Sequence, residues 1–571
     1  MGCRRLPDNG PSRSEVQRIS TLEKVCGIRK RINPQQNNGP ILGYREWIPR
    51  IRQCGKQECE ILYANTTTIG TDGKFIVRLP LREDPTVLGD SKRLALRRLY
   101  LLERKLEKNP VLKKMYCDFL TEYEELGHMS EVPDSEAANF PAYYIPHLGV
   151  LRQNSLTTKL RVVFNASAKS TSNKSLNDIL SVGPSVQDTL FEILLRFREF
   201  PVAVVGDITK MYRQTWIHPS QRDLQRILWR KNPKDPVKIY RLNTVTYGTG
   251  PASFLATRSL KEAAIRGKPK FPKTANILLK QFYVDDFLGG ANDSESARTL
   301  KEESEEILEP YGLNLRKWQS SDPAVLTTEI PRTDPFYFDS SEESKALGVG
   351  WKPKEDYFFF KSSPEFNKSG AFSKRTILSD ISKLFDPLGL VSPIIVKAKF
   401  LMQKIWLEQT KNWDQPVSIE ILQEWKKIRA DITFLEPITI PRRVYTVHSD
   451  CAPIFHGFSD ASQKGYGACI YASTSINPQS NTEFQSSLIC SKSRVAPSRK
   501  AHTIPRLELA AAVLLSDLMC KVNEAVQLSL KKLYFGRIQR QLYIGSTTLT
   551  QVNGKLLFLI ASRRFKRRQQ P

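Results

Sequence analysis

The chain has 571 residues, of which 40% are hydrophobic and 25% charged, an ordinary globular composition long enough for roughly three or four domains. Its 86 Lys and Arg against 59 Asp and Glu leave a net charge of +27, an excess that favours a polyanionic partner, with nucleic acid the commonest. Its apolar runs are all too short for a membrane span, and its nine cysteines contain no Cys-x-x-Cys pair, so a membrane protein, a disulfide scaffold and a cysteine-rich zinc module are disfavoured and an intracellular protein, cytoplasmic or nuclear, is expected.

Residues 1–55 are rich in Arg, Gln, Asn and Pro without apolar periodicity, which predicts poor order. Order is expected from a short strand at Lys74–Pro80, after the turn Thr71-Asp-Gly73. Two helices are predicted next, Ser91–Lys108 and Val111–Leu126, because their leucines recur at helical spacing. The basic face of the first is either a solvated surface or a contact for phosphates. Tyr143–Leu151 and Thr157–Ser167 read as a strand pair, with Lys159 and Arg161 at the start of the second strand. Cations on such a hairpin suit a triphosphate, whose charge moves during phosphoryl transfer; a plain surface strand end is the simpler reading.

Pro201–Tyr212 begins as an apolar strand and runs into a single carboxylate, Asp207, with Tyr212 five residues further on. A buried strand ending in an unpaired charge is costly, and a metal ion removes the objection. Tyr240–Phe254 predicts a strand, a glycine-rich turn and a helix start. In Ile277–Gly290, two apolar runs flank the adjacent carboxylates Asp285 and Asp286, and Gly289-Gly290 follows. A strand hairpin carrying two neighbouring acids makes sense where divalent cations neutralise them; taken alone, a surface hairpin with an acidic turn is the simpler reading. A helix from Ser294 and a strand at Gly312–Trp318 complete this part.

The strings KFIVRLP, YYIPHLGVLRQNSLTTKLRVVFNASAK, GDITKMYRQ, VTYGTG, FYVDDFLGG, LRKW and LFDPLGLVSPIIVKAK, in this order, resemble the Bel/Pao class of long-terminal-repeat retrotransposons over about residues 55–535. The resemblance implies an α+β, multidomain right-hand polymerase (fingers, palm and connection) followed by an incomplete ribonuclease H-like domain. It implies that Asp207 and Asp285, with Asp286 beside them, hold two magnesium ions, manganese being the alternative. Tyr212 then excludes a 2′ hydroxyl, Lys159 and Arg161 contact the triphosphate, Lys317 is the basic residue of the following palm motif, and Tyr247 and Gly248 form the template- and nucleotide-contacting turn. The implied partners are an RNA or DNA template-primer and deoxynucleoside triphosphates, with no membrane. Asn165 stands where Asp is typical, and Gly250–Ser253 departs from the usual order of small residues and proline.

From Ser373 to about Pro437 the chain is expected to be mostly helical. His456–Tyr471 then reads as a strand carrying Asp460, a turn and a returning strand, and a helix opening at Pro505 carries Glu508. By resemblance Asp460 and Glu508 match two of four acidic metal ligands of ribonuclease H. The strand that should supply the next acid ends at Phe535, and no Asp or Glu follows before Pro571. A shift of reading frame at Phe535 accounts for that, and hybrid cleavage is expected to be lost. The organisation expected is a poorly ordered 1–55, a family-specific helical region 56–140, fingers and palm 141–320, a connection or thumb-like region 321–445, the truncated ribonuclease H-like domain 446–535 and an out-of-frame basic tail 536–571. RNA-directed DNA synthesis is the activity expected; the alternative is a catalytically dead remnant that only binds RNA. Testing the two means comparing wild-type and Asp285→Ala protein.

Overall fold

The computed structural model describes residues 50–151, 160–326, 336–337, 347–362, 372–382, 384–408, 412–435, 437–444, 453–477, 480–498, 502–526 and 533–537. Lys159, most of the predicted 1–55 segment and most of the basic tail lie outside them. A helix at Arg50–Thr66 crosses the boundary expected at residue 55, and from Gln53 onward the chain forms one compact unit.

The two leucine-spaced segments are helices, α1 (Lys92–Glu107) and α2 (Pro110–Glu125). α1 buries Ala95, Leu99, Leu102 and Leu106, one stripe at three- and four-residue intervals. α2 starts where Asn109 accepts from the Leu112 N–H, and Pro110 occupies the first helical position, where no donor is needed. The expected strand pair forms as β1 (His147–Leu151) and β2 (Leu160–Phe164), antiparallel with His147 opposite Phe164. A reciprocal cap between Thr189 and Glu192 opens α3 (Leu190–Phe197).

The sheet that carries the acids is built around β3 (Val202–Ile208). After it come helix α4 (Ala252–Gly267), the short strand β4 (Phe282–Tyr283), β5 (Asp286–Ala291), helix α5 (Ser294–Leu308) and β6 (Leu315–Ser320). The four strands lie in the order β4-β5-β3-β6 and every neighbouring pair is antiparallel. Side chains alternate along β3: Val204 and Ile208 enter one core, Ala203 and Val205 a second core shared with Leu288. The apolar run before the acids is not a long strand. Ile277 and Leu278 end a helix, Pro272–Leu278, in which Ala275 and Leu278 are buried; Pro272 in its first turn favours that start, and only two residues remain extended.

The next strands, β7 (Leu347–Lys352) and β8 (Tyr357–Ser362), pair antiparallel in a stretch for which the sequence suggested no element. Val349, Trp351, Phe358 and Phe360 are buried in the second core, two on each strand at the two-residue spacing of a half-buried sheet. The predicted helical region is α6 (Lys374–Ser382), α7 (Ser392–Leu407) and α8 (Ile419–Thr433). Last comes a sheet of β9 (Ile454–Ala461), β10 (Gly465–Asn477) and β11 (Ser480–Val495), covered by helix α9 (Ile504–Val526) and joined by β12 (Leu533–Arg537), which runs parallel to β9. The result is a mixed α/β architecture with several small sheets. Among the described residues no helix is long and apolar enough to cross a membrane.

Candidate active site

The register of the central sheet sets Asp286 of β5 directly opposite Asp207 of β3. Directly opposed residues project from the same face of a sheet. Tyr283 pairs with Asp286 across the hairpin, which leaves Val284 and Asp285 at its tip. The Asp285 carbonyl accepts from the Ile208 N–H at 3.0 Å, fixing the tip to the end of β3. Val284 has φ +56°, a left-handed backbone that costs a side-chain-bearing residue about 1–2 kcal/mol and is rare for a β-branched one.

Three carboxylates thus meet at one strand end, and they oppose each other's ionisation. Burial, followed by the charge of Asp207, pushes the Asp285 carboxyl up to about 6. Asp286 is held well above the usual carboxylate range by burial, then by Asp285 and Asp207. Among the described residues, Lys317 supplies a cation to the cluster: its Nζ donates to Asp207 Oδ2 at 2.7 Å. Lys317 lies in an irregularity of the β6–β3 pairing between Arg316 and Gln319 and has φ +57°; such a bulge re-aims a side chain. Lys317 and Arg161 both favour the charged form of Asp285, yet burial and Asp207 outweigh them.

Arg161, on β2, stacks over the Tyr247 ring with its guanidinium carbon 6.0 Å from the centroid. Its charge also acts on Tyr212, whose hydroxyl is pushed up chiefly by burial and also by Asp285. The Tyr212 and Ser253 hydroxyls are 3.1 Å apart. Gly248 has φ +100°, and a Cβ there would lie 2.1 Å from the Phe164 carbonyl oxygen, so only glycine fits the turn against the end of β2. Asn177 braces that turn: its amide donates to the Gly248 carbonyl at 3.0 Å and accepts from the Gly250 N–H at 2.7 Å.

The structure therefore brings Asp207, Asp285, Asp286, Lys317, Arg161 and Tyr212 into one electrostatic neighbourhood, with Tyr247 and Gly248 beside Arg161. Asn177, Ser253 and Gln187, which bonds to the backbone of Val284, were not legible as site residues. They are amides and a hydroxyl acting across long sequence separations, and no local pattern marks them.

Asp460 and Glu508 form a different picture. Asp460 is exposed near the end of β9, opposite Gly467, and Glu508 is partly buried near the start of α9. In β12, which lies beside β9, Gly536 is opposite Phe458 and Arg537 opposite Ser459, so the strand expected to bring a third acid brings glycine and arginine. Among the described residues no group of three or more His, Cys, Asp or Glu is arranged to hold a metal ion. At the central sheet, one Asp207 oxygen is engaged by Lys317 instead. The donor set there still fits a divalent cation, since three carboxylates supply the hard oxygens that magnesium prefers and a cation would relieve the repulsion that raises Asp285 and Asp286.

Residues 373–536, from just before α6 into β12, match the family model described as the Pao retrotransposon-like RNaseH-like domain. No curated protein matches the chain.

Proposed function

We propose that this chain, which through residues 373–536 belongs to the Bel/Pao retrotransposon polyproteins, is an RNA-directed DNA polymerase whose ribonuclease H-like domain no longer cleaves. The observation that carries the reading is the in-register pair Asp207 and Asp286, with Asp285 at the adjoining hairpin tip. Asp207 and Asp285 would hold two magnesium or manganese ions, with Asp286 beside them. Ions held there would supply activation of a primer 3′ hydroxyl and neutralisation of the leaving pyrophosphate.

The chain's own residues do the rest. Arg161 neutralises the triphosphate as charge shifts onto it, and Lys159 is assigned the same task from the sequence. Tyr212, held by Ser253, packs under the sugar and leaves no room for a 2′ hydroxyl. Tyr247 and the side-chain-free Gly248 offer a flat turn to the template and nucleotide. Lys317, with 46% of its side chain exposed, keeps an ammonium free to move between carboxylate and phosphate. The net charge of +27 suits a template-primer duplex as partner.

Primer extension on poly(rA)/oligo(dT) with magnesium tests the reading. Wild-type protein is expected to incorporate dTTP, and Asp285→Ala is expected to lose on the order of a hundredfold or more of that rate. Equal incorporation by the two proteins would overturn the assignment and favour an RNA-binding remnant.

A further inference from the structure

The hairpin tip poses a problem of its own. Its backbone at Val284 is left-handed, and the residue lies between the end of β4 at Tyr283 and the start of β5 at Asp286. A turn in that conformation relaxes unless its surroundings hold it, and any relaxation rotates the Asp285 and Asp286 carboxylates that follow. What holds it comes from 97 residues earlier. The Gln187 side-chain oxygen accepts from the Val284 N–H at 2.8 Å, and its amide nitrogen donates to the Val284 carbonyl at 3.1 Å. One side-chain amide thereby satisfies both peptide groups of the strained residue, as a neighbouring strand would.

The same segment grips the hairpin again lower down. Arg196, on α3, donates through Nε to the Gln281 side chain at 2.6 Å and through Nη2 to the Lys280 carbonyl at 2.5 Å. Asp188, next to Gln187, orients that guanidinium at 2.8 Å. Gln281 in turn donates to the Leu288 carbonyl at 2.6 Å across the base of the hairpin. Tip and base are both tied to the stretch from Gln187 to Arg196.

We propose that Gln187 is a positioning residue for the acidic site: its two bonds hold the left-handed backbone at Val284 and so set the separation and direction of Asp285 and Asp286. Gln187 touches no reacting atom in this scheme. The inference rests on the polymerase reading for its consequence in DNA synthesis, and on the chemical fit of the three carboxylates to a divalent cation for its consequence in cation binding.

The test uses the full chain and Mn2+ as the probe, followed by electron paramagnetic resonance, with Asp285→Ala as the control for site-specific binding. Gln187→Ala is expected to raise the Mn2+ dissociation constant at least fivefold and to lower kcat for primer extension by a larger factor. The KM for dTTP and the thermal midpoint should stay near wild-type values. Gln187→Glu, the same size but able only to accept, covers the case in which the alanine variant does not fold. It should weaken Mn2+ binding in the same direction, because a carboxylate opposite the Val284 carbonyl cannot donate. Wild-type Mn2+ affinity in a folded variant overturns the proposal. So does a loss of kcat matched by an equal loss of thermal stability, which would mark Gln187 as a general packing residue. If wild-type protein extends no primer, the function proposed above fails, while the Mn2+ titration still decides the role of Gln187.

Discussion

His147 shows how much a single buried group can set. Its Nε2 lies 3.0 Å from the Leu228 carbonyl, which can only accept, so Nε2 carries the proton and Nδ1 accepts from the Tyr116 hydroxyl at 2.5 Å. Burial depresses the ring to about 4 from an ordinary value near 6.5, so at neutral pH it carries only the Nε2 proton. Because the unfolded chain binds this proton more tightly, the stability that His147 contributes is complete above about pH 6.5 and is lost as pH falls towards 4. The size is roughly 3 kcal/mol, from about 1.4 kcal/mol per unit. Urea midpoints measured from pH 7.5 to 4.5 should fall steeply in wild-type protein and less steeply in His147→Gln. An unchanged slope in the variant would remove His147 as the cause. Nothing in Tyr-Ile-Pro-His-Leu marks this histidine as buried; only the fold of β1 against α2 does so.

At the scale of elements, periodicity and turn chemistry were readable wherever one face of an element alone decides its form. α1, α2, α5 and the strand pair β1–β2 lie close to where leucine spacing and β-branched runs put them. The run before Asp285 was misread because short apolar stretches serve helix and strand alike, and Pro272 tipped this one into a helix. The acids themselves stood out, since adjacent carboxylates in an apolar context are a chemical anomaly. The pairing of Asp286 with Asp207 is a matter of register between strands far apart in sequence, which neither stretch shows on its own. Register also bears on β12. With Gly536 and Arg537 beside Phe458 and Ser459, the sheet offers Asp460 no acidic neighbour from that strand, and a two-metal site needs several carboxylates converging. Cleavage of a labelled RNA–DNA hybrid by this chain should not exceed that of Asp460→Ala. A clear excess over the variant would mean that other groups complete the site.

Across the whole molecule, two arginines link parts far apart in sequence. Arg442 is fully buried and bonds both oxygens of Asp356, at 2.6 and 2.8 Å, and the carbonyls of Phe197 and Phe200. Arg198 reaches the Arg442 carbonyl at 3.0 Å and, with Nη1, the carbonyls of Leu488 and Ile489 on β11 at 2.9 and 2.8 Å. Removing one partner of such a buried pair typically costs about 3–5 kcal/mol. Arg442→Met should therefore lower the urea midpoint well beyond the effect of a surface change such as Arg97→Met; equal midpoints would show that the contacts are dispensable. The link has a consequence for deletions. The β11 carbonyls that receive Arg198 lie in the nuclease-like part, whereas Arg198 follows the helix that braces the acidic hairpin. Excising residues 373–536 would remove the Pro441, Arg442, Leu488 and Ile489 carbonyls that receive the Arg198 guanidinium. The RNaseH-like part is thus hard to discard, because the rest of the chain uses it as a wall of its own interior.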